Sequence, residues 1–236
     1  MGTDSKIEWT DHTWNPWRGC TKVSAGCANC YMFRDAARYG WDPAVVARCS
    51  PAVWRQPLAR SRTGQYRWVP GSRVFVCSWS DFWHPAADPW RPEAWEVIHQ
   101  RRDLIWIFTT KRGHRTLGPE AENLRRLGCS AWLLVSTEDQ AAYTRRWPEI
   151  TNIELDIVGI SAEPLLGSID LYAARDWTSC LPRWVVCGGE SGPQARPMRP
   201  DWACAIRDQC RAAKIPFFFK QWGGPRPGGD RLLDGV

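Results

Sequence analysis

The sequence predicts an α/β protein, a partial or nearly closed parallel (βα) barrel, TIM-like, with about six to seven βα units. Three observations predict it. Short apolar runs rich in β-branched and aromatic residues recur after residue 70, as expected of strands covered on both faces. Helix-like amphipathic stretches separate those runs. The chain has 236 residues, 44% of them hydrophobic, and α/β barrels of this size occur undivided. Residues 1–236 therefore read as a single domain.

In chain order, Lys6-Ile7-Glu8-Trp9-Thr10 reads as the first strand. Residues 42–70 fit no βα unit and read as a loop- and helix-containing insertion, in a position to act as a lid. The later strand candidates are Arg73–Cys77, Leu104–Phe108, Ala131–Val135, Leu155–Ile160, Trp184–Cys187 and Ile215–Phe219. Helices are expected over Pro92–Arg102, Pro119–Leu127 and Asp201–Lys214, with Asp201 as the N-cap of the last. The Gly- and Pro-rich tail from Gly223 reads as irregular.

Charge and composition exclude some classes. The net charge of +6, from 31 Lys and Arg against 25 Asp and Glu spread along the chain, reads first as a solvated surface and points only weakly to anionic ligands or nucleic acid. No apolar run reaches membrane-spanning length, and the N-terminus lacks a signal-peptide pattern, so a cytoplasmic location is expected. No spacing supports a Ser-His-Asp triad or a phosphate-binding P-loop. Ten cysteines without an export signal argue against a disulfide scaffold. Cys49, Cys77, Cys129, Cys180, Cys187, Cys204 and Cys210 lie singly among apolar neighbours and read as buried, inert thiols. His84 and His114 read as surface or capping residues, and the tryptophans and arginines from Arg48 to Trp68 as an amphipathic insertion.

Cys20, Cys27 and Cys30 are different, because three thiols fall within eleven residues just after the first expected strand. Three thiolates suit a [4Fe–4S] cluster that keeps one iron open to another ligand. A zinc site with His12 as the fourth ligand is the other chemistry the run allows, and it would make the chain a nucleic-acid-binding module rather than a radical enzyme. Polar clusters follow each later strand: Ser78, Ser80 and Asp81; Lys111 and Arg112; Ser136 and Glu138; Ser161 and Glu163; Gly188, Gly189 and Glu190; and Lys220. In parallel barrels the carboxyl ends of the strands share one mouth, where active sites are built.

Trp14-Asn15-Pro16, Gly19-Cys20-Thr21-Lys22-Val23-Ser24, Cys27-x-x-Cys30-Tyr31 and Ser80-Asp81-x-x-His84 carry a more specific likeness. So do Thr110-Lys111-Arg112, Ser136-x-Glu138-Asp139-Gln140, Glu163-Pro164-Leu165-Leu166-Gly167, Gly188-Gly189-Glu190-Ser191-Gly192 and Phe219-Lys220-Gln221-Trp222-Gly223. With these motifs the chain resembles the phage Gp37/Gp68 family over nearly its whole length. That family carries a domain of unknown function and is regarded as radical-S-adenosylmethionine-like.

The resemblance implies a partial barrel, a [4Fe–4S] cluster on Cys20, Cys27 and Cys30, and S-adenosylmethionine at the open iron. Reductive cleavage to a 5′-deoxyadenosyl radical would then act on a nucleotide-like or nucleic-acid substrate, in repair or modification, with a reductant protein as electron donor. By position, Ser78, Ser80 and Asp81 would lie near the methionine moiety, and Ser136 and Glu138 near the ribose. Lys111, Glu163, Glu190 and Lys220 would face the substrate or the outer edge of the cofactor. The triplet is spaced Cys-x6-Cys-x2-Cys, where the superfamily usually has Cys-x3-Cys-x2-Cys, and Gly188-Gly189-Glu190 follows the sixth strand rather than the second.

Overall fold

The computed structural model describes residues 5, 7–173, 180–225 and 230–235. Its strands are β1 (His12–Trp14), β2 (Trp17–Arg18), β3 (Ala47–Arg48), β4 (Arg73–Val76), β5 (Ile105–Thr110), β6 (Ala131–Ser136), β7 (Ile157–Ala162), β8 (Val185–Gly188) and β9 (Phe217–Gln221). Seven of them form one parallel sheet in the order β1-β4-β5-β6-β7-β8-β9. Each strand lies beside the next one along the chain, which is the winding order of a barrel. β1 and β9 are the two ends of the order and do not pair, so the sheet is a half-barrel. β2 and β3 form a separate antiparallel pair.

The helices are α1 (Tyr31–Tyr39), α2 (Pro51–Trp54), α3 (Arg91–Gln100), α4 (Pro119–Arg125), α5 (Gln140–Ile150) and α6 (Pro200–Ala212). Local chemistry sets their ends. Asp139 caps α5 by accepting from the Ala142 N–H at 2.8 Å. Asp201 is not the N-cap of α6. Pro200 fixes the first helical position, Arg199 precedes it as the cap, and Asp201 sits in the first turn bonded to the Arg199 side chain at 3.0 Å.

Strand residues alternate between two buried faces. Trp106, Phe108, Leu133, Val135, Ile160 and Val185 face the large core on one side. Ile107, Leu134 and Val186 face the other, where Trp9 closes the floor with its ring 5.1 Å from Phe75 and 5.8 Å from Trp184. Many of the tryptophans belong to the large core, where a buried ring's N–H calls for an acceptor, and among the described residues all but a few, Trp54 among those few, find one. Trp14 donates to the Val53 carbonyl, Trp17 to the Asp81 carbonyl, Trp106 to the Arg101 carbonyl, and Trp83 and Trp95 both to Glu120.

The first strand lies later than the sequence suggests. Of Lys6–Thr10, Lys6 is outside the described residues, and 7–10 form a turn rather than a strand. Ser5 Oγ accepts from Ile7 N–H and from the Thr10 hydroxyl, and Thr10 N–H returns to the Ile7 carbonyl. That side-chain chemistry competes with a ladder and leaves β1 to begin at His12. The segment 42–70 carries β3 and α2, and its Trp54 and Trp68 are buried in the large core. Arg101, fully buried, ties this segment down by donating to the Pro57 and Trp68 carbonyls. Of the scattered cysteines, Cys77, Cys187 and Cys210 are buried, Cys49 and Cys204 are half-buried, and Cys129 and Cys180 are exposed, against the expectation of burial. Both exposed thiols lie in connecting segments between strands, where backbone runs over the surface. Residues 226–229 and 236 of the tail lie outside the described residues.

Candidate functional site

The cysteine segment follows β2 and stands at the carboxyl ends of the sheet strands. Gly19 opens it with φ 92°, and a Cβ there would stand 2.3 Å from the Val45 carbonyl oxygen, so the turn requires glycine. Gly19 N–H donates to the Trp79 carbonyl at 3.0 Å, and Ser80 Oγ donates to the Gly19 carbonyl at 2.6 Å. Cys20 N–H donates to the Pro43 carbonyl at 2.9 Å. Cys27 lies in a single 3₁₀ turn, Ala25–Cys27, and Cys30 directly precedes α1. All three thiols are free, with Cys27 buried and the other two half-buried. Burial pushes the Cys20 thiol up to about 11, with Asp81 adding to the effect and Arg112 opposing it; burial also raises Cys30.

Four strand-end loops lash this segment in place. Arg112 donates to Asp81 at 3.1 Å and reaches the Cys20 sulfur at 3.7 Å, while its other nitrogen donates to the Thr21 carbonyl and hydroxyl. Asp81 in turn accepts from Trp83 N–H, Lys111 N–H and the Thr110 hydroxyl. His84 caps a short turn by accepting from Ala86 N–H and meets the Thr21 hydroxyl at 3.1 Å. From the far side, Glu190 accepts from Asn29 Nδ2 at 3.0 Å and from both the backbone and the guanidinium of Arg196. Arg196 also donates to the Ala25 carbonyl at 2.8 Å.

Glu138 supplies the fourth restraint. Arg146 holds it at 2.7 Å, and both are almost fully buried. Burial works against its charge, but Ser24 and Arg146, with the charge of Lys111 nearby, outweigh that and hold the carboxyl below its usual range. The Glu138 carboxylate presses on Gly26, where an added Cβ would lie 3.0 Å from its Cδ.

The mouth carries two charged features. Lys111, at the end of β5, is half-buried and makes no ion pair or side-chain hydrogen bond among the described residues. Its charge acts on Cys30 and Glu138. Opposite, Lys220 on β9 pairs with Glu163 just past β7 at 2.7 Å, and Ser161 Oγ donates to the same carboxylate at 3.1 Å. Tyr31 lies between the two regions, within electrostatic range of Cys30 and Glu163, with its hydroxyl donating to the Ser78 carbonyl at 2.6 Å. A cleft of 340 Å³ opens beside Cys30, lined among others by Asn29, Tyr31, Arg34, Ser191 and Gln194.

The residues singled out by sequence therefore divide. Cys20, Cys27, Cys30, Lys111, Glu163 and Lys220 stand around the mouth. Ser78 (bonded to Asn15 at 3.0 Å), Ser80, Asp81, Glu138 and Glu190 have their side chains engaged in holding the cysteine segment and its supporting loops. The Ser136 carbonyl accepts from Arg146 at 2.6 Å. Arg112, which the sequence places beside Lys111 after a strand, completes the scaffold with Arg146, Arg196 and Asn29, whose partners no local pattern indicates. His12 is apart from the thiols: it stacks on Trp68 at 4.6 Å, on the face of β1 that carries Trp14 into the large core.

Among the described residues no three His, Cys, Asp or Glu side chains converge where one ion could sit. A cluster does not need that convergence, because each of its irons takes its own thiolate. Three free thiols with the Arg112 guanidinium and the Lys111 ammonium beside them are a donor set suited to an anionic iron–sulfur group.

A family model described as a protein of unknown function, DUF5131, matches residues 4–231 of the chain. No curated protein and no solved structure matches it.

Proposed function

The chain belongs to the DUF5131 family of unknown function, and from its own residues we propose that it is a radical S-adenosylmethionine-type enzyme. Cys20, Cys27 and Cys30 would hold a [4Fe–4S] cluster, and the substrate would be a nucleotide or nucleic acid undergoing repair or modification. The observation that carries the reading is the Lys111 ammonium, unpaired among the described residues and within electrostatic range of Cys30, at a mouth that also holds the Glu163–Lys220 pair. When bound and reduced, such a cluster supplies one electron for cleaving the S-adenosylmethionine sulfonium to methionine and a 5′-deoxyadenosyl radical.

The chain's own contribution is positioning and charge. Arg112 and Lys111 offset thiolate charge on two sides of the triplet. The Glu163 carboxylate suits an amino group and the Lys220 ammonium a carboxylate, as an amino-acid moiety presents them, and Ser161 fixes the carboxylate rotamer. Lys111 is left to bind an anionic group of cofactor or substrate. Asp81, Glu138 and Glu190 act one step back, by holding the loops that carry these groups.

The test is anaerobic purification with iron and sulfide analysis, then dithionite reduction with S-adenosylmethionine and an assay for 5′-deoxyadenosine. About four irons per chain with product formation, both lost in Cys27→Ala, is the expected result. A colourless protein holding zinc would overturn the reading in favour of a nucleic-acid-binding module. Iron without cleavage, in the presence of oligonucleotide, would remove S-adenosylmethionine from it.

A further inference from the structure

The end of α1 carries an arginine–aromatic surface that the chemistry above does not use. Tyr39 is 58% exposed and packs on Trp79 at 5.5 Å; Trp41 packs on the same ring at 6.1 Å. Trp79 is fixed by its N–H, which donates to Asp35 at 3.2 Å. Arg18 lies over Trp41 at 5.3 Å and Arg38 over Tyr39 at 5.7 Å. Neither guanidinium is paired with a carboxylate among the described residues. Arg34, on the same helix, keeps 42% of its side chain exposed and pairs with Asp35. The patch thus joins three half-exposed rings to three cations, two of them uncompensated.

Its location matters as much as its make-up. Trp79 stands between Ser78 and Ser80, in the loop that holds the cysteine turn. α1 runs from Tyr31, next to Cys30, to Tyr39, about 13 Å at 1.5 Å per residue. Arg34, midway, also lines the 340 Å³ cleft beside Cys30. Aromatic faces interleaved with arginine recognise bases by stacking and phosphates by charge, and they reach only bases that are not already stacked in a duplex.

We propose that this surface binds single-stranded nucleic acid, with bases stacked on Tyr39, Trp41 and Trp79 and phosphates on Arg18, Arg34 and Arg38, so that the strand is led along α1 to the cleft beside Cys30. Strand binding stands on the patch alone; delivery to a reacting centre rests on the reading of the mouth given above.

The test is fluorescence anisotropy with labelled 20-mers of deoxythymidylate and of uridylate and with a hairpin duplex, over a salt series. Wild type, Tyr39→Ala and Arg38→Ala are compared, both changes being at exposed side chains. Binding of one or both single strands is expected, at least about tenfold tighter than the duplex. Tyr39→Ala should weaken it about fivefold or more, from the loss of one base stack. Arg38→Ala should reduce the log–log salt slope by about 0.7. The proposal is overturned if neither single strand binds at low salt, if the duplex binds as well, or if both variants match wild type. Competition by polyglutamate as strong as by an oligonucleotide of equal charge would make the patch an acidic-protein contact and also overturn it. Strand binding by protein without iron would leave this proposal standing while the radical reading falls. Cleavage of S-adenosylmethionine by protein that binds no strand would do the reverse.

Discussion

The Arg112 guanidinium stands 3.7 Å from the Cys20 sulfur, and the same nitrogen donates to Asp81 at 3.1 Å. One side chain therefore couples a metal-type donor to a buried carboxylate that follows β4, the strand next to its own in the sheet order. Both members of the ion pair are only 7% exposed, so neither can turn to water if the other is lost.

Asp81→Asn should destabilise the protein by about 3 kcal/mol, the scale on which breaking a buried ion pair leaves its partner uncompensated. Urea denaturation at neutral pH measures it. A loss under about 1 kcal/mol would show the pair to be dispensable.

Gly26→Ala should lower iron bound per chain at least severalfold with little change in the fold. The new Cβ would meet the Glu138 carboxyl carbon at 3.0 Å, and that carboxylate is pinned by Arg146 and cannot swing aside. Iron analysis with circular dichroism is the check; full iron loading would show that the loop yields.

Lys220→Met should leave iron content unchanged and weaken S-adenosylmethionine about ten- to a hundredfold, the worth of one charged hydrogen bond. Equilibrium binding of the cofactor to loaded protein reads this. A variant that loses iron instead would place Lys220 in the scaffold.

Asp103 gives a pH dependence away from the site. Hydrogen bonds from the buried Arg101 hold its carboxyl below the usual range, with burial partly opposing. A carboxyl depressed on folding contributes stability that is complete above its unfolded value, about 3.9, and is lost as pH falls through the folded value. Asp103→Asn should therefore lower stability at pH 6 and flatten its decline below about pH 4, as followed by urea midpoints. An acid limb as steep as in wild type would assign it to other carboxylates.

Much of the sheet was legible because strands buried on both faces write themselves as continuous apolar runs. Val74, Ile107, Leu134 and Val186 all fall within runs read from sequence. β1 was not, because His12-Thr13-Trp14 carries no such run, while Ile7 and Trp9 imitate one and instead turn under the sheet. The cysteine triplet was legible from its spacing. The duty of Glu190 was not: its partners are Asn29 on the distant cysteine segment and Arg196 six residues on in its own loop, and no local pattern says that a glutamate after two glycines faces a loop rather than a ligand. Asp201 shows the same limit on a small scale, since Pro200 overrides an acceptable cap.

The cysteine segment is held at Gly19 by Ser80, at Thr21 by Arg112, at Ala25 by Arg196 and at Asn29 by Glu190. In small metal domains the ligand loop is ordered only by the ion, so removing the ion unfolds the protein. Here the ordering entropy of the loop is met during folding by four contacts from three separate parts of the chain. If the chain holds the cluster proposed above, the apoprotein should then be a persistent species, able to wait for the cluster, to surrender it to a chelator, and to be reconstituted without passing through the unfolded state.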